Sequence, residues 1–427
     1  VVLKKKTKFT LVSALVVQVF LCASLEADEN EAGLKELVEE AVAQNLELRG
    51  SRSEWEAASS RVLPGAFPPN PTLGLGLGMI PAEDFEIGSA GMRSIWVSQR
   101  IPFPAKLYSR YRSASHMADV AGEVYRMKER AVIWRVKDLY WELCNIHETR
   151  KITEETRALL RGLAALAETK YAVGRGSATN VLKVQVELAK LENDLFALKQ
   201  QLLTAQARLN GLLNRPADQS LGVPENPSLE PVELDSDQLD SLTLSNRPQL
   251  LAARKMALAA SSAHATSKMD YLPDLMVSVK HQNVEVGMDM WEVMFSVEVP
   301  LWLPFKENKR LQETGAALAS AEAHALNAAN DALAMLRSAH NRYQTARRTL
   351  ELYETGVLPQ AEMSLVSARA AYENDASDFL SLLDAHRTLL RFRVEHAGAK
   401  AEYERAIAEL ELVVGKDIPR GLKEDGK

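Results

Sequence analysis

The chain has 427 residues, 46% hydrophobic and 25% charged, with 21 Gly, 17 Pro and 2 Cys, which excludes a low-complexity polymer and disorder as the main state. A net charge of −6 with no basic stripe excludes a nucleic-acid footprint. Cys22 and Cys144 can build neither a disulfide framework nor a zinc site of paired spacing.

Residues 1–27 read as a secretory signal peptide. Lys4, Lys5, Lys6 and Lys8 form a positive head, and an apolar stretch of 15 residues runs from Phe9 to Ala23, too short for a comfortable membrane span. Cleavage at Ala27 would remove four Lys and one Glu and leave a charge of −9. Val19-Phe20-Leu21-Cys22 loosely resembles a lipoprotein box, with bulky Leu21 where a small residue is expected, so Cys22 is a candidate lipidation site. After residue 27 no run of 18 apolar residues occurs, and any membrane crossing is expected to be by β-strands.

The rest of the chain is a tandem duplication. Residues 171–213 and 372–414 align without a gap at an offset of 201, matching Tyr171 to Tyr372, Leu182 to Leu383 and Leu209 to Leu410. Upstream, SQRIP at 98–102 answers SVEVP at 296–300. The expected units are a first repeat at 28–215, a linker at 216–235, a second repeat at 236–415 and a tail at 416–427. Pro216, Pro224, Pro227 and Pro231 forbid a continuous helix through the linker.

In chain order, the first repeat predicts helix over 31–62 with a break near Asn45, a hairpin over 72–101, a long helix over 106–171 and a helix over 178–213. In the last of these, Val181, Val184, Leu188, Leu191, Leu195, Leu198, Leu202, Ala205, Leu209 and Leu212 step by three and four as a heptad seam. The second repeat predicts helix over 237–270 broken before Pro248, a hairpin over 274–300, a helix over 306–372 kinked by Pro359, and a helix over 379–414. Its seam departs only at His396. A helix of about 66 residues reaches roughly 100 Å, so only a rod or tube accommodates it, and the shorter helices stack end to end along the long one as antiparallel pillars.

Both hairpins have period two. Leu73, Leu75, Leu77 and Met79 alternate with Gly74, Gly76 and Gly78. In the second hairpin Leu275, Val277 and Val279 alternate with Met276, Ser278 and Lys280, and Trp291, Val293, Phe295, Val297 and Val299 alternate with Glu292, Met294, Ser296 and Glu298. One greasy and one polar face, in strands of eight to ten residues, suits tilted transmembrane strands. Four strands cannot close a barrel, and lipid does not tolerate an open edge. The protomer is therefore expected to oligomerise, two copies supplying 8 strands and three supplying 12. The competing reading is an exported soluble coiled-coil adaptor or stalk capped by two hairpins; detergent-dependent extraction separates the two.

NLELRGSRSEWEAASSR against NRPQLLAARKMALAASSA, the strand ends SQRIPFP and SVEVPLW, YAVGRGSATNVLKVQVELAKLENDL, and VLPQAEMSLVSARAAYENDASDFLSLLDAHRTLL together resemble the TolC family of outer-membrane efflux proteins over essentially the whole mature chain. The resemblance implies a mainly α fold with a small β part. Long antiparallel coiled-coil helices would form a periplasmic tunnel, and four transmembrane strands per protomer would contribute to a 12-stranded barrel in a homotrimer, in the outer membrane of a Gram-negative bacterium. It implies a passive exit duct working with a periplasmic adaptor (membrane fusion) protein and an inner-membrane pump of the resistance-nodulation-division type. YLPDLMVSV and VLPQAEMSL are similar to the heavy-metal, cobalt-zinc-cadmium branch; a drug-efflux or type I secretion channel is the alternative.

The turns at 172–178 and 373–378 then map to the periplasmic tip, where the family constricts its channel and meets the adaptor. Gly174 and Gly176 suit a tight reversal and Ser177 a helix cap. Arg175 on one turn and Asp375 or Asp378 on the other are the expected ties, with Tyr171 and Tyr372 packing beneath.

No catalytic residue, cofactor or metal site is expected. GLGLGM at 74–79 lacks the third-glycine spacing of a dinucleotide fingerprint, and no HExxH, GxSxG or Walker sequence occurs. His264, His281, His340, His386 and the twelve Met form no paired ligand spacing and are read as structural.

Overall fold

Apart from one extra helical turn in the first half and a π turn that splits the long helix of the second, the two halves of the chain lay down the same elements in the same order. The computed structural model describes residues 33–80, 87, 90–224, 236–284, 287–374 and 376–420; the signal-peptide stretch with Cys22, the linker from 225 to 235, and Asp375 lie outside them. The first half holds α1 (Leu34–Gln44), α2 (Leu46–Ser60), the single turn α3 (Val62–Gly65), β1 (Thr72–Gly78), β2 (Met92–Ile101), α4 (Pro104–Ala172) and α5 (Ala178–Leu212). The second holds α6 (Ser236–Asn246), α7 (Pro248–Met269), β3 (Asp274–Val284), β4 (Met288–Glu298), α8 (Glu307–Leu352), a π turn (Tyr353–Val357), α9 (Leu358–Glu373) and α10 (Phe379–Val414).

The helix breaks have local causes. Asn45 leaves the helical region at φ −64°, ψ 125°, and its Oδ1 accepts from the N–H groups of Glu47 and Leu48, so it ends α1 and caps α2. Its Nδ2 donates to the Leu212 carbonyl at 2.9 Å, tying that break to the end of α5. Arg247 is extended in the same way before Pro248 opens α7. At Pro359 the kink expected from the sequence takes the form of the π turn. Proline has no N–H and its ring crowds the carbonyl four residues back, so the preceding turn widens by one residue. The Leu358 N–H donates to the Tyr353 carbonyl, five residues earlier.

The heptad seams face inward, their positions buried or half-buried. Val184, Leu191, Leu202, Ala205 and Leu209 of α5 are buried, as are Leu382, Leu389, Ala399, Tyr403, Ala406, Leu410 and Val413 of α10. His396, the one departure, turns its Nε2 to Glu354 Oε1 in the π turn at 3.5 Å. Three apolar clusters line the pillars. One joins α1, α2, α4 and α5, a second joins α6, α8 and α10, and a third gathers the tip ends of α4, α5, α9 and α10. Two stretches read as linker and tail are partly docked. Leu221 is buried in the first cluster, where Asn210 Nδ2 donates to the carbonyls of Ala217 and Gln219. After α10, Ile418 is buried, Asp417 pairs with Arg130 at 2.9 Å, and Arg420 pairs with Glu404 at 2.7 Å.

The four strands form one antiparallel sheet in the order β1-β2-β3-β4. The register aligns Leu75 with Ile95, Ile95 with His281 and His281 with Trp291, and likewise Leu73, Val97, Val279 and Val293. These rows are apolar apart from His281, and the next row on that face, Leu77–Arg93–Asn283–Asp289, turns polar. The face is bare in the protomer, Leu75 being 80% and Phe295 73% exposed. On the other face the β1 glycines leave room for β2: a Cβ on Gly74 would lie 2.2 Å from the Trp96 indole. Among the described residues β1 and β4 each pair on one side only.

Candidate functional site: the helical tip and the sheet junction

Two helix reversals lie side by side at the end away from the sheet. At the first, the N–H of Gly174 donates to Tyr171 and that of Arg175 to Lys170, at 3.0 and 2.8 Å. Gly174 sits at φ +73°, where a side chain is strained. A Cβ on Gly176 would come within 2.9 Å of the Tyr171 nitrogen. Ser177 Oγ then accepts from the Thr179 N–H and caps α5. At the second reversal Asp378 occupies the place of Ser177 and caps α10, its Oδ1 accepting from the Ser381 N–H at 3.0 Å. The Ser381 contacts hold the Asp378 carboxyl below its ordinary range, with a smaller contribution from Lys183.

The two tyrosines expected beneath the tip separate. Tyr372 is 7% exposed and packs edge-on against Phe379 with ring centroids 5.7 Å apart, while Tyr171 is 54% exposed. The cause is one substitution between the repeats: Ala178 stands where the second copy has Phe379, so Tyr171 has no ring to seat it. Lys170 instead places its ammonium 4.2 Å from the Tyr372 ring centre, a cation–π contact between the two reversals. Within the protomer the Arg175 side chain makes no ion pair with a described residue, and Asp375 lies outside the described residues.

Periodicity did not reveal a charged network just above the tip. Glu187 of α5 accepts from Arg387 of α10 and from Lys190 Nζ, the latter at 2.9 Å. Burial pushes the Glu187 carboxyl up, but the hydrogen bonds from Arg387 and Lys190 outweigh it and hold the group below its ordinary value. At the opposite end, Lys106 in the first turns of α4 is buried. It donates to Asp274 Oδ1 at 2.7 Å and to the Leu272 carbonyl at 2.8 Å, pinning the start of β3 to the start of the long helix. The only advance signal for either pair was a charge at a position the helix buries.

Among the described residues no three His, Cys, Asp or Glu side chains converge on a point. His264 contacts Thr314, the His281 ring lies tilted against Trp291 with centroids 4.7 Å apart, and His340 contacts Gln344. Burial, with a smaller contribution from Arg369, keeps His386 below its ordinary range. Burial likewise pushes the Cys144 thiol up to about 12, which leaves it protonated and unreactive. No described helix is long and apolar enough to cross a membrane.

The family model described as outer membrane efflux protein matches the chain twice, over residues 37–215 and 239–416. The cobalt-zinc-cadmium resistance protein CzcC of Cupriavidus metallidurans is 21% identical over 386 residues, spanning 88% of each chain. A membrane protein from Pseudomonas aeruginosa superposes with a TM-score of 0.78 at 19% identity, covering 91% of this chain and 92% of that one. The outer membrane protein VceC of Vibrio cholerae superposes at 0.76 with 17% identity, covering 90% and 96%. At these identities the structural matches speak to fold alone. The doubled family match, with the greasy-faced sheet and the helical pillars below it, makes this chain a member of the outer membrane efflux protein family, seated in the outer membrane with its helices in the periplasm.

Proposed function

We propose that three copies of the chain close into a 12-stranded barrel continuous with a helical tunnel, and that this trimer is the passive exit duct of a tripartite efflux system. The observation that carries the reading is that the protomer is unfinished at both of its lateral edges. In the sheet, β1 and β4 have no outer partner strand among the described residues. In the helix layer, α5 exposes Leu182, Val186, Phe196 and Leu203, and the α8–α9 side exposes Leu352, Met363 and Val366. The two edges differ, so they join head to tail, and head-to-tail contacts that close generate a ring.

A duct of this kind performs no chemistry on its cargo. A periplasmic adaptor and an inner-membrane pump of the resistance-nodulation-division type deliver it, and the tip regulates entry. Arg175 of one reversal and Asp375 or Asp378 of the other act as ties that hold the tip shut, with Gly174 shaping the turn and Tyr171 and Tyr372 forming the adjoining surface. The exposure of Tyr171 supports a role at a surface between protomers or toward the adaptor. The similarity to CzcC supports heavy-metal cations as cargo. Deleting the gene and measuring susceptibility tests this: the reading expects sensitisation to cobalt, zinc or cadmium salts, whereas sensitisation to organic drugs alone assigns the channel to the drug-efflux branch.

A further inference from the structure

Both long helices begin directly beneath the sheet, and both begin with cations beside exposed aromatic rings. In the first repeat Arg110 and Arg112 are exposed, Tyr108 beside them is 60% exposed, and no Asp or Glu occurs from 103 to 118. In the second, Lys306 and Lys309 follow Trp302 and Phe305, which are 69% and 79% exposed. An open cleft of about 540 Å³ there is lined by Phe305, Lys306, Lys309, Arg310, Glu313 and Thr314.

The neighbouring cations are already committed, Lys106 to Asp274 at 2.7 Å and Arg310 to Asp270 at 3.4 Å. Arg110 and Arg112 make no ion pair with a described residue. Arg112 stands 6.0 Å from the Tyr108 ring centre, and among the described residues Lys309 donates only to the neutral Gln312, at 3.1 Å. Lys306 lies 3.9 Å from Glu307, but its side chain is 72% exposed whereas that of Glu307 is 8% exposed. In an acidic chain, exposed cations stand at the start of both long helices, just beyond the strand ends.

We propose that Arg110, Arg112, Lys306 and Lys309 form a collar that binds the phosphate headgroups of anionic phospholipids in the periplasmic leaflet, with Tyr108, Trp302 and Phe305 seated among the adjoining acyl chains. The collar is continuous with the lipid-facing apolar surface and rests on that membrane placement. Aromatic rings settle at a bilayer interface and clustered Lys and Arg beside them attract anionic headgroups. Head-to-tail closure repeats the four cations around the barrel base.

The test uses the full-length protein in detergent, titrated with phosphatidylglycerol or phosphatidylcholine and read by lipid adducts in native mass spectrometry and by the thermal unfolding midpoint. The wild type is expected to prefer phosphatidylglycerol. The variant Arg110→Gln/Arg112→Gln/Lys306→Gln/Lys309→Gln is expected to bind it at least about tenfold more weakly, with phosphatidylcholine binding unchanged. The control Lys35→Gln/Arg49→Gln, on exposed positions of α1 and α2, is expected to behave as wild type. Should the fourfold variant fail to assemble, Arg112→Gln/Lys309→Gln is read the same way. Equal binding of both lipids by the wild type, or an equal loss in the control, overturns the collar. A protein that takes up neither lipid and dissolves without detergent overturns instead the membrane placement beneath it.

Discussion

Glu187 of α5 and Arg387 of α10 pair across the two repeats just above the helical tip, the carboxylate buried and the guanidinium half in solvent. Replacing Glu187 with Gln leaves Arg387 without its counter-charge. The solvent reaching Arg387 limits the cost to about 1–2 kcal/mol. Hydrogen exchange is expected to speed up in the first turns of α5 and α10 and to stay unchanged at α1 and α6.

The same carboxyl sets a pH dependence. Its folded value lies below its ordinary 4.5, so its contribution is present above that value and is lost as pH falls through the folded one. Exchange near Leu382 and Val184 is expected to accelerate on acidification below about pH 4.5 in the wild type, and that acidic component is expected to vanish in Glu187→Gln.

Glu404 has the opposite sign. It is 1% exposed, and burial raises its value despite the lowering effect of Arg420. Its contribution is therefore complete below the ordinary value and declines as pH rises through the folded one. Glu404→Gln removes the buried charge together with its desolvation cost and is expected to change stability by less than about 1 kcal/mol. Arg420→Ala strands that charge and is expected to cost about 2–3 kcal/mol. Thermal unfolding of the two variants side by side checks the asymmetry.

Gly174 and Gly415 both have positive φ, but they differ in the space around them. A Cβ at Gly174 meets nothing within 4 Å, whereas at Gly415 it would lie 2.7 Å from the Asn246 carbonyl oxygen. Gly174→Ala is expected to cost about 1 kcal/mol from backbone strain alone. Gly415→Ala adds a backbone collision at the α6–α7 break and is expected to cost at least about twice that. Denaturant midpoints of the two variants make the comparison.

If the tip is closed by charge ties, Arg175→Ala/Asp375→Ala is expected to raise single-channel conductance in a planar bilayer. Unchanged conductance rejects those two residues as the tie.

Much of this architecture could be read from local pattern. The end of α10 at Gly415, the breaks at Asn45 and Arg247 and the faces of the strands follow from glycine, a capping side chain, proline and period respectively, which act within a few residues. Other features depend on residues far apart in the chain. Glu187 meets Arg387, Asp417 meets Arg130 and Leu221 joins a core built by α1 and α4, and no local spacing encodes such pairings. Tyr171 is exposed where Tyr372 is seated because Phe379 is replaced by Ala178 in the first copy, a difference that matching tyrosine to tyrosine does not register. Pro359 signalled a distortion, but that it would be relieved by a widened turn depended on the helix continuing on both sides.

The most direct test of the account is the state of the purified mature protein in detergent and in plain buffer. A trimeric exit duct is expected to leave membranes only with detergent, to run as a trimer on gels that dissociates on heating, and to give discrete conductance steps in a planar bilayer. A monomer that remains dissolved in buffer and never forms a pore would contradict it.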